Sequence, residues 1–339
     1  MLPRIFIAPE PRAVADIFTG NDLDRLRAIG DVVLVEHGLT DPDVERDALD
    51  AQIVMGQFDL PRERLDRMPN LRAVFNVEGN FLGNIDYAEC FRRGIRVLST
   101  SPVFAEPVAE ATLGMVIDLA RNVTSADRRF RDGTEAYGLD ANVDSFTLYD
   151  AEVGFVGLGD LGRAMLPLFA PFRCTVRAYD PWLPADYLAS LGVRAATLDE
   201  VLRTSRVVIV VAGVTAANEG FLGREAFTTM RPGAAFVLVS RAGVVDFDAM
   251  LDAAASGAIR VATDVFPSEP LARDHRARST PNVLLSPHQA GGLRGALSQI
   301  GKRSVADAEL VVRGLPPVMC KVAQQETVGL ARSKPIAKS

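Results

Sequence analysis

The chain has 339 residues, 48% hydrophobic and 24% charged, enough to bury a substantial core and to make two domains. A formal charge of −6 gives no basis for nucleic acid or an anionic membrane as a partner. The longest apolar stretch, 207–214, is far too short to cross a bilayer, and Pro3, Arg4 and Glu10 stand where a signal peptide carries its apolar core, so a cytoplasmic location is expected. Cys90, Cys174 and Cys320 are odd in number, far apart and free of any CxxC spacing; they read as reduced thiols, and no metal site is expected.

Strand-length apolar runs at 4–8, 32–35, 52–55, 73–77 and 95–98 alternate with polar, helix-permissive stretches such as 22–29 and 62–68. This alternation predicts a first, small α/β domain on a parallel sheet. A long helical pattern then opens at Pro107, where a missing N–H costs nothing, with Val108, Ala111, Met115, Val116 and Leu119 at three- and four-residue spacing. The domain boundary is placed there.

An apolar strand at 152–156 then runs into Gly157-Leu158-Gly159-Asp160-Leu161-Gly162, a helix-compatible segment at 161–172 and a second strand at 175–179 that ends in Asp180. Gly157 permits the sharp turn, Gly159 lets backbone approach a pyrophosphate, and Gly162 lets the helix pack on the strand. The start of the helix offers unpaired N–H groups and a positive dipole end to the phosphates. Asp180 suits a ribose diol and repels a 2′-phosphate, and 181–184 holds no Arg or Lys to receive one, so NAD is favoured over NADP. Further strand-like runs at 207–211, 235–239, 260–265 and 283–285 bring the count to six, that of a complete dinucleotide domain. The last helical segment, 293–313, stops at Gly314 before Pro316-Pro317 and can return the chain to the first domain. The expected organisation is a discontinuous domain of 1–103 plus 300–339 around a dinucleotide domain of 104–299, with 333–339 disordered.

Three chemically capable residues follow strands of the second sheet. Arg241 lies in Ser240-Arg241-Ala242-Gly243, Glu269 in Asp264-Val265-Phe266-Pro267-Ser268-Glu269-Pro270-Leu271, and His288 in Ser286-Pro287-His288-Gln289-Ala290-Gly291. All three therefore fall at the carboxyl edge of one parallel sheet, where open α/β sheets bind ligands. Arg offers a planar, permanently charged fork for a carboxylate. His donates and accepts protons near neutrality, and Glu can fix the ring through its other nitrogen. Read singly, each has an ordinary structural role as surface ion-pair partner, helix-start carboxylate or loop histidine. Read together beside a dinucleotide motif, they point to catalysis.

These motifs, with Gly83-Asn84-Ile85-Asp86 and Val108-Ala109-Glu110, resemble in order and spacing the D-isomer-specific 2-hydroxyacid dehydrogenases over nearly the whole chain. The resemblance implies two Rossmann-like, doubly wound parallel-sheet α/β domains with a cleft between them. It also implies NAD as cofactor, a small anionic 2-hydroxy or 2-oxo acid as substrate, and a homodimer with the long helix at its interface. The family's catalytic Arg, Glu and His map onto Arg241, Glu269 and His288. Its substrate loop maps onto Val77, Glu78, Gly79 and Asn80. Its cofactor contacts map onto Asp160 and Leu161, Asp180, Ala212, Gly213, Val214 and Asn218 and, near the nicotinamide, Ser240, Arg241, Asp264, His288 and Gly291. The family often has Pro at Gly213, an Asp near Arg206 and Gly at Ala242, and Glu78 places an acidic residue in a loop meant for an anion. Phosphoglycerate, hydroxypyruvate or glyoxylate, and small aliphatic 2-oxo acids are all compatible substrates, with phosphoglycerate or hydroxypyruvate preferred. Two other readings share the fold: an NAD-sensing interaction protein like the C-terminal-binding corepressors, and formate dehydrogenase, which usually has Gln at the position of Glu269.

Overall fold

In the computed structural model, which describes residues 2–36, 42–77 and 80–330, the early apolar runs become five parallel strands. These are β1 (Arg4–Ala8), β2 (Asp31–Leu34), β3 (Ile53–Gly56), β4 (Ala73–Asn76) and β5 (Arg96–Ser99), in the spatial order β5-β4-β3-β1-β2. β1, β3 and β4 pair on both sides, and their side chains are buried almost throughout, which is why they read as continuous apolar runs.

One element departs from an all-parallel sheet. The short strand Lys321–Val322 pairs antiparallel with β5 and caps that edge. Its approach is set by Asp307, a fully buried carboxylate that accepts N–H bonds from Val318 (2.7 Å), Met319 (3.0 Å) and Cys320 (2.7 Å). Two residues, one of them exposed, carry no periodicity by which this strand is legible in the sequence.

The chain separates into two units, Met1–Phe104 with Gly292–Ser339, and Ala105–Gly291. The whole helix Arg294–Val312 thus belongs to the first unit, whereas a return to it near residue 300 was expected. Its apolar stripe, Leu297, Ile300, Val305, Ala308 and Val311, is continuous with Ile5, Ile17 and Phe75 in one core, and a rigid helix cannot be divided between two cores.

The second unit holds seven strands: β6 (Glu152–Val156), β7 (Thr175–Tyr179), β8 (Arg194–Ala195), β9 (Val207–Val210), β10 (Ala234–Leu238), β11 (Ile259–Thr263) and β12 (Val283–Leu285). All pair in parallel in the order β12-β11-β10-β9-β6-β7-β8, so the winding direction reverses between β6 and β9. The apolar pattern counted six strands. β8 was missed because both of its residues are exposed. The predicted helix at 161–172 is an α-helix only over Asp160–Phe169 and tightens to a 3-10 turn at Ala170–Phe172. The long helix is Ala105–Arg121, with Pro107 in its first turn, and its Val108, Met115, Val116 and Leu119 share a core with Val153, Phe155 and Ile209.

Arg206, where the family often has Asp, is accounted for by packing. Its guanidinium lies 4.2 Å from the ring centre of Phe146, and that of Arg260 lies 5.3 Å from the same ring. Burial, and then the charge of Arg231, hold the Arg206 pKa below its ordinary value. Cys90, Cys174 and Cys320 are free thiols; burial pushes Cys90 up to about 11, so none has the character of a reactive thiolate. Among the described residues no helix is long and apolar enough to cross a membrane.

Candidate active site

The loops after β6, β7, β9, β10, β11 and β12 all leave the carboxyl edge of one sheet, because every pairing in it is parallel. The loop after β6 has the mechanics of a phosphate cradle. Gly157 has φ +83°, and a Cβ there would lie 2.9 Å from the Ala212 backbone. A Cβ at Gly162 would meet Leu158 at 2.9 Å and Val211 at 3.3 Å, so this glycine lets the helix pack down on the sheet. At Gly159 nothing lies within 4 Å of the equivalent point, and no side chain caps the helix that starts at Asp160. Open space above an uncapped helix start fits a pyrophosphate.

Asp180, just past β7, is half-buried. Its Oδ2 accepts the N–H of Leu158 in the glycine loop (2.8 Å) and its Oδ1 accepts the N–H of Trp182 (2.9 Å). A carboxylate has about four lone-pair sites, so two such bonds leave capacity for a ribose diol. Asp160 pairs with Arg163 at 2.5 Å, and Leu161 packs against the core. On the loop after β9, Asn218 is committed to its own turn, accepting from Thr215 N–H (2.7 Å) and donating to the Gly213 carbonyl (2.8 Å). Val214 packs beside Gly243. Ser240, at the end of β10, keeps a buried hydroxyl oxygen with no hydrogen-bond partner. An orphaned hydroxyl at this edge fits a cofactor amide as its missing partner.

The chemistry-bearing residues stand on the next three loops. Arg241 follows β10 and donates to the Ser240 carbonyl at 2.7 Å. Its guanidinium is crowded by protein yet reachable by solvent. Desolvation lowers its pKa, and the charge of Glu269 works in the opposite direction, so the two side chains are within electrostatic reach of each other. Glu269 uses both oxygens: Oε1 accepts the Phe266 N–H (2.9 Å) and Oε2 lies 2.6 Å from Nδ1 of His288. His288 has φ +50°, a left-handed backbone that few non-glycine residues adopt and that clusters at functional sites.

Asp264 supplies what holds that backbone. The resemblance implies a cofactor contact for it; Asp264 is 2% exposed and its carboxylate holds the histidine loop. It accepts from the Ser286 hydroxyl (2.5 Å), Gln289 N–H (3.0 Å) and Ala290 N–H (3.1 Å), bracketing His288. The sequence carried no signal for this, since the bonds span 22 to 26 positions. Gly291 closes the loop at the end of the second unit.

The substrate-loop residues lie on the first unit. Val77 is fully buried and its carbonyl accepts from the Thr100 hydroxyl (3.2 Å), while the Asn80 carbonyl accepts from Asn76 (2.8 Å). Glu78 and Gly79 lie outside the described residues, as does the tail 333–339.

Residues 113–290 match the family described as D-isomer specific 2-hydroxyacid dehydrogenase, NAD binding domain. The chain belongs to that family. It is 42% identical to a phosphoglycerate oxidoreductase from Rhizobium etli, whose crystal structure superposes with a TM-score of 0.87 over 96% of this chain and 99% of that one. A Pyrococcus horikoshii protein of known structure is 25% identical, with a TM-score of 0.79 over 96% of each chain. The D-3-phosphoglycerate dehydrogenase of Bacillus subtilis is 26% identical over 89% of this chain and 57% of its own length. This dehydrogenase-family chain thus spans about half the length of the curated relatives it matches. Its second unit is a nicotinamide dinucleotide-binding fold.

Proposed function

We propose that the protein interconverts a D-2-hydroxy acid and its 2-oxo acid with NAD, using Arg241, Glu269 and His288. The observation that carries this is the 2.6 Å pairing of Glu269 with His288, on the sheet edge that also bears Arg241 and the glycine cradle. Arg241 presents its fork to the substrate carboxylate and polarises the neighbouring carbonyl. With Nδ1 engaged by Glu269, Nε2 of His288 is the proton-exchanging atom. It gives a proton to the carbonyl oxygen in reduction and takes one from the hydroxyl in oxidation. Glu269 fixes the ring and balances its charge. NAD, when bound along Gly157–Gly162, Asp180 and Ser240, supplies or accepts the hydride. Holding these groups in register provides most of the acceleration.

The substrate belongs to the phosphoglycerate and hydroxypyruvate or glyoxylate class. The names of the Rhizobium etli and Bacillus subtilis relatives support this reading. The corepressor-like alternative is not favoured, because these relatives are named as an oxidoreductase and a dehydrogenase. The second unit serves as the NAD domain and the first as the substrate domain, with residues 77–80 holding the substrate carboxylate. A cytoplasmic homodimer completes the proposal. Its dimeric part is supported by the exposed apolar side chains Val123, Phe130, Tyr137, Leu139 and Val143, which a second copy would cover.

A panel of 3-phosphohydroxypyruvate, hydroxypyruvate, glyoxylate and small aliphatic 2-oxo acids with NADH, followed by loss of nicotinamide absorbance, tests the activity. Turnover with at least one is expected. Intact NADH binding with no turnover on any of them sinks the enzymatic reading.

A further inference from the structure

The first sheet buries two polar side chains at adjacent strand ends. Asn76, the last residue of β4, is 1% exposed, and Thr100, the first residue past β5, is fully buried. The strands are neighbours, with Asn76 opposite Ser99, so both side chains stand at the carboxyl edge of that sheet. A carboxamide and a hydroxyl taken out of water are tolerated only where their bonds are made.

Here the bonds go to main-chain carbonyls of the segment that leaves β4. Asn76 Nδ2 donates to the Asn80 carbonyl at 2.8 Å, the Thr100 hydroxyl to the Val77 carbonyl at 3.2 Å, and the Thr100 N–H to the Asn76 carbonyl at 3.2 Å. Two buried residues thus take up the carbonyls of Asn76, Val77 and Asn80. Further along, the Tyr87 hydroxyl donates to the Leu82 carbonyl at 2.7 Å, and its ring meets that of Phe81 edge-on at 6.2 Å. The segment is fastened on both sides.

In a trans peptide a carbonyl and the N–H of the next residue point in opposite directions. Drawing the Asn80 carbonyl toward Asn76 therefore turns the Phe81 N–H the other way, and that N–H donates to no described residue. A backbone with its carbonyls spent and an N–H left open suits an anion.

We propose that Asn76 and Thr100 are positioning residues for the substrate, holding these carbonyls so that the segment keeps the form that receives the substrate carboxylate. The proposal rests on the reading of residues 77–80 as the substrate loop and names the two side chains that set its shape.

Steady-state kinetics of the whole protein test this, with the 2-oxo acid turned over fastest in the panel above. Thr100→Val keeps the side-chain volume and loses the hydroxyl; Asn76→Ala loses the carboxamide. Each should raise KM for the 2-oxo acid about tenfold and leave kcat within about twofold of wild type, the pattern of lost binding shared by ground and transition states. The NADH dissociation constant should not move, and Thr100→Ser, which restores the hydroxyl, should bring KM back. Should Asn76→Ala fail to fold, the near-isosteric Thr100→Val carries the test. An unchanged KM overturns the proposal and leaves the proposed activity intact. Parallel loss of kcat and NADH binding overturns it as well, since that marks a general folding role. Wild-type protein that binds NADH and turns over no member of the panel overturns the proposal together with the substrate reading.

Discussion

Two loops on the second sheet are fastened in the same way and left in opposite states. The glycine loop after β6 is tied by Asp180 from the end of β7, and the histidine loop after β12 is tied by Asp264 from beyond β11. Asp180 is half-buried and gives the glycine loop a single bond, at Leu158. Asp264 is buried and gives the histidine loop three, at Ser286, Gln289 and Ala290. A loop that binds phosphate must keep its amides open, so one bond suffices to set its direction. The loop that holds His288 in a left-handed backbone spends its amides internally, on bonds that offset that strain.

The comparison breaks most visibly at His288 itself. His288→Ala should lower turnover by about 100-fold or more with NADH binding retained, the usual scale for loss of a general acid or base. Of the other two histidines, His275 accepts the Ala277 N–H at 3.1 Å, and His37 lies outside the described residues. Near-normal steady-state turnover would remove His288 from the mechanism.

Asp264→Asn sharpens the contrast between the two ties. An amide can accept on one atom only, so at least one loop donor is orphaned in a buried setting, at a cost of about 1–3 kcal/mol. Turnover should fall about tenfold and the melting temperature should drop, with little change in NADH dissociation constant. A rise in that constant with unchanged kcat would instead make Asp264 the cofactor contact that the resemblance implied.

Asp180→Ala tests the lighter tie. Wild-type protein should use NADH far better than NADPH, and the variant should narrow that gap chiefly through weaker use of NADH. Equal efficiency with both cofactors in the wild type contradicts the ribose assignment.

The smallest expected change is in Glu269→Gln, which keeps the shape beside His288 and removes the charge. kcat/KM should fall about threefold, the scale of one hydrogen bond, with the NADH dissociation constant unchanged. An unchanged kcat/KM would reduce Glu269 to a strand-end carboxylate bonded to Phe266.

Most of the fold was legible because its signals are local. Central parallel strands such as β9 and β10 are continuous apolar runs, and Gly157–Gly162 opens a helix whose start needs no partner from elsewhere. Arg241, Glu269 and His288 could be placed on one sheet edge because strand ends are readable and parallel pairing aligns them. The two-residue strands at 194–195 and 321–322 were invisible, being too short for periodicity and mostly exposed. Asn218, read from resemblance as a cofactor contact, has its side chain closed on its own turn, a fact of hydrogen-bond geometry and not of residue type.

By itself, then, the chain determined a twofold α/β organisation, a dinucleotide cradle and three candidate side chains on one sheet edge, since periodicity, glycine spacing and residue chemistry act over a few neighbouring positions. Tertiary structure alone decided that Asp264 serves the histidine loop, that Asp307 sets the edge of the first sheet, and that Asp180 joins Trp182 to the glycine loop. Each of these includes a bond between a carboxylate and a backbone amide on another segment, and only the order in which the strands and helices pack brings such partners within 3 Å or so of each other.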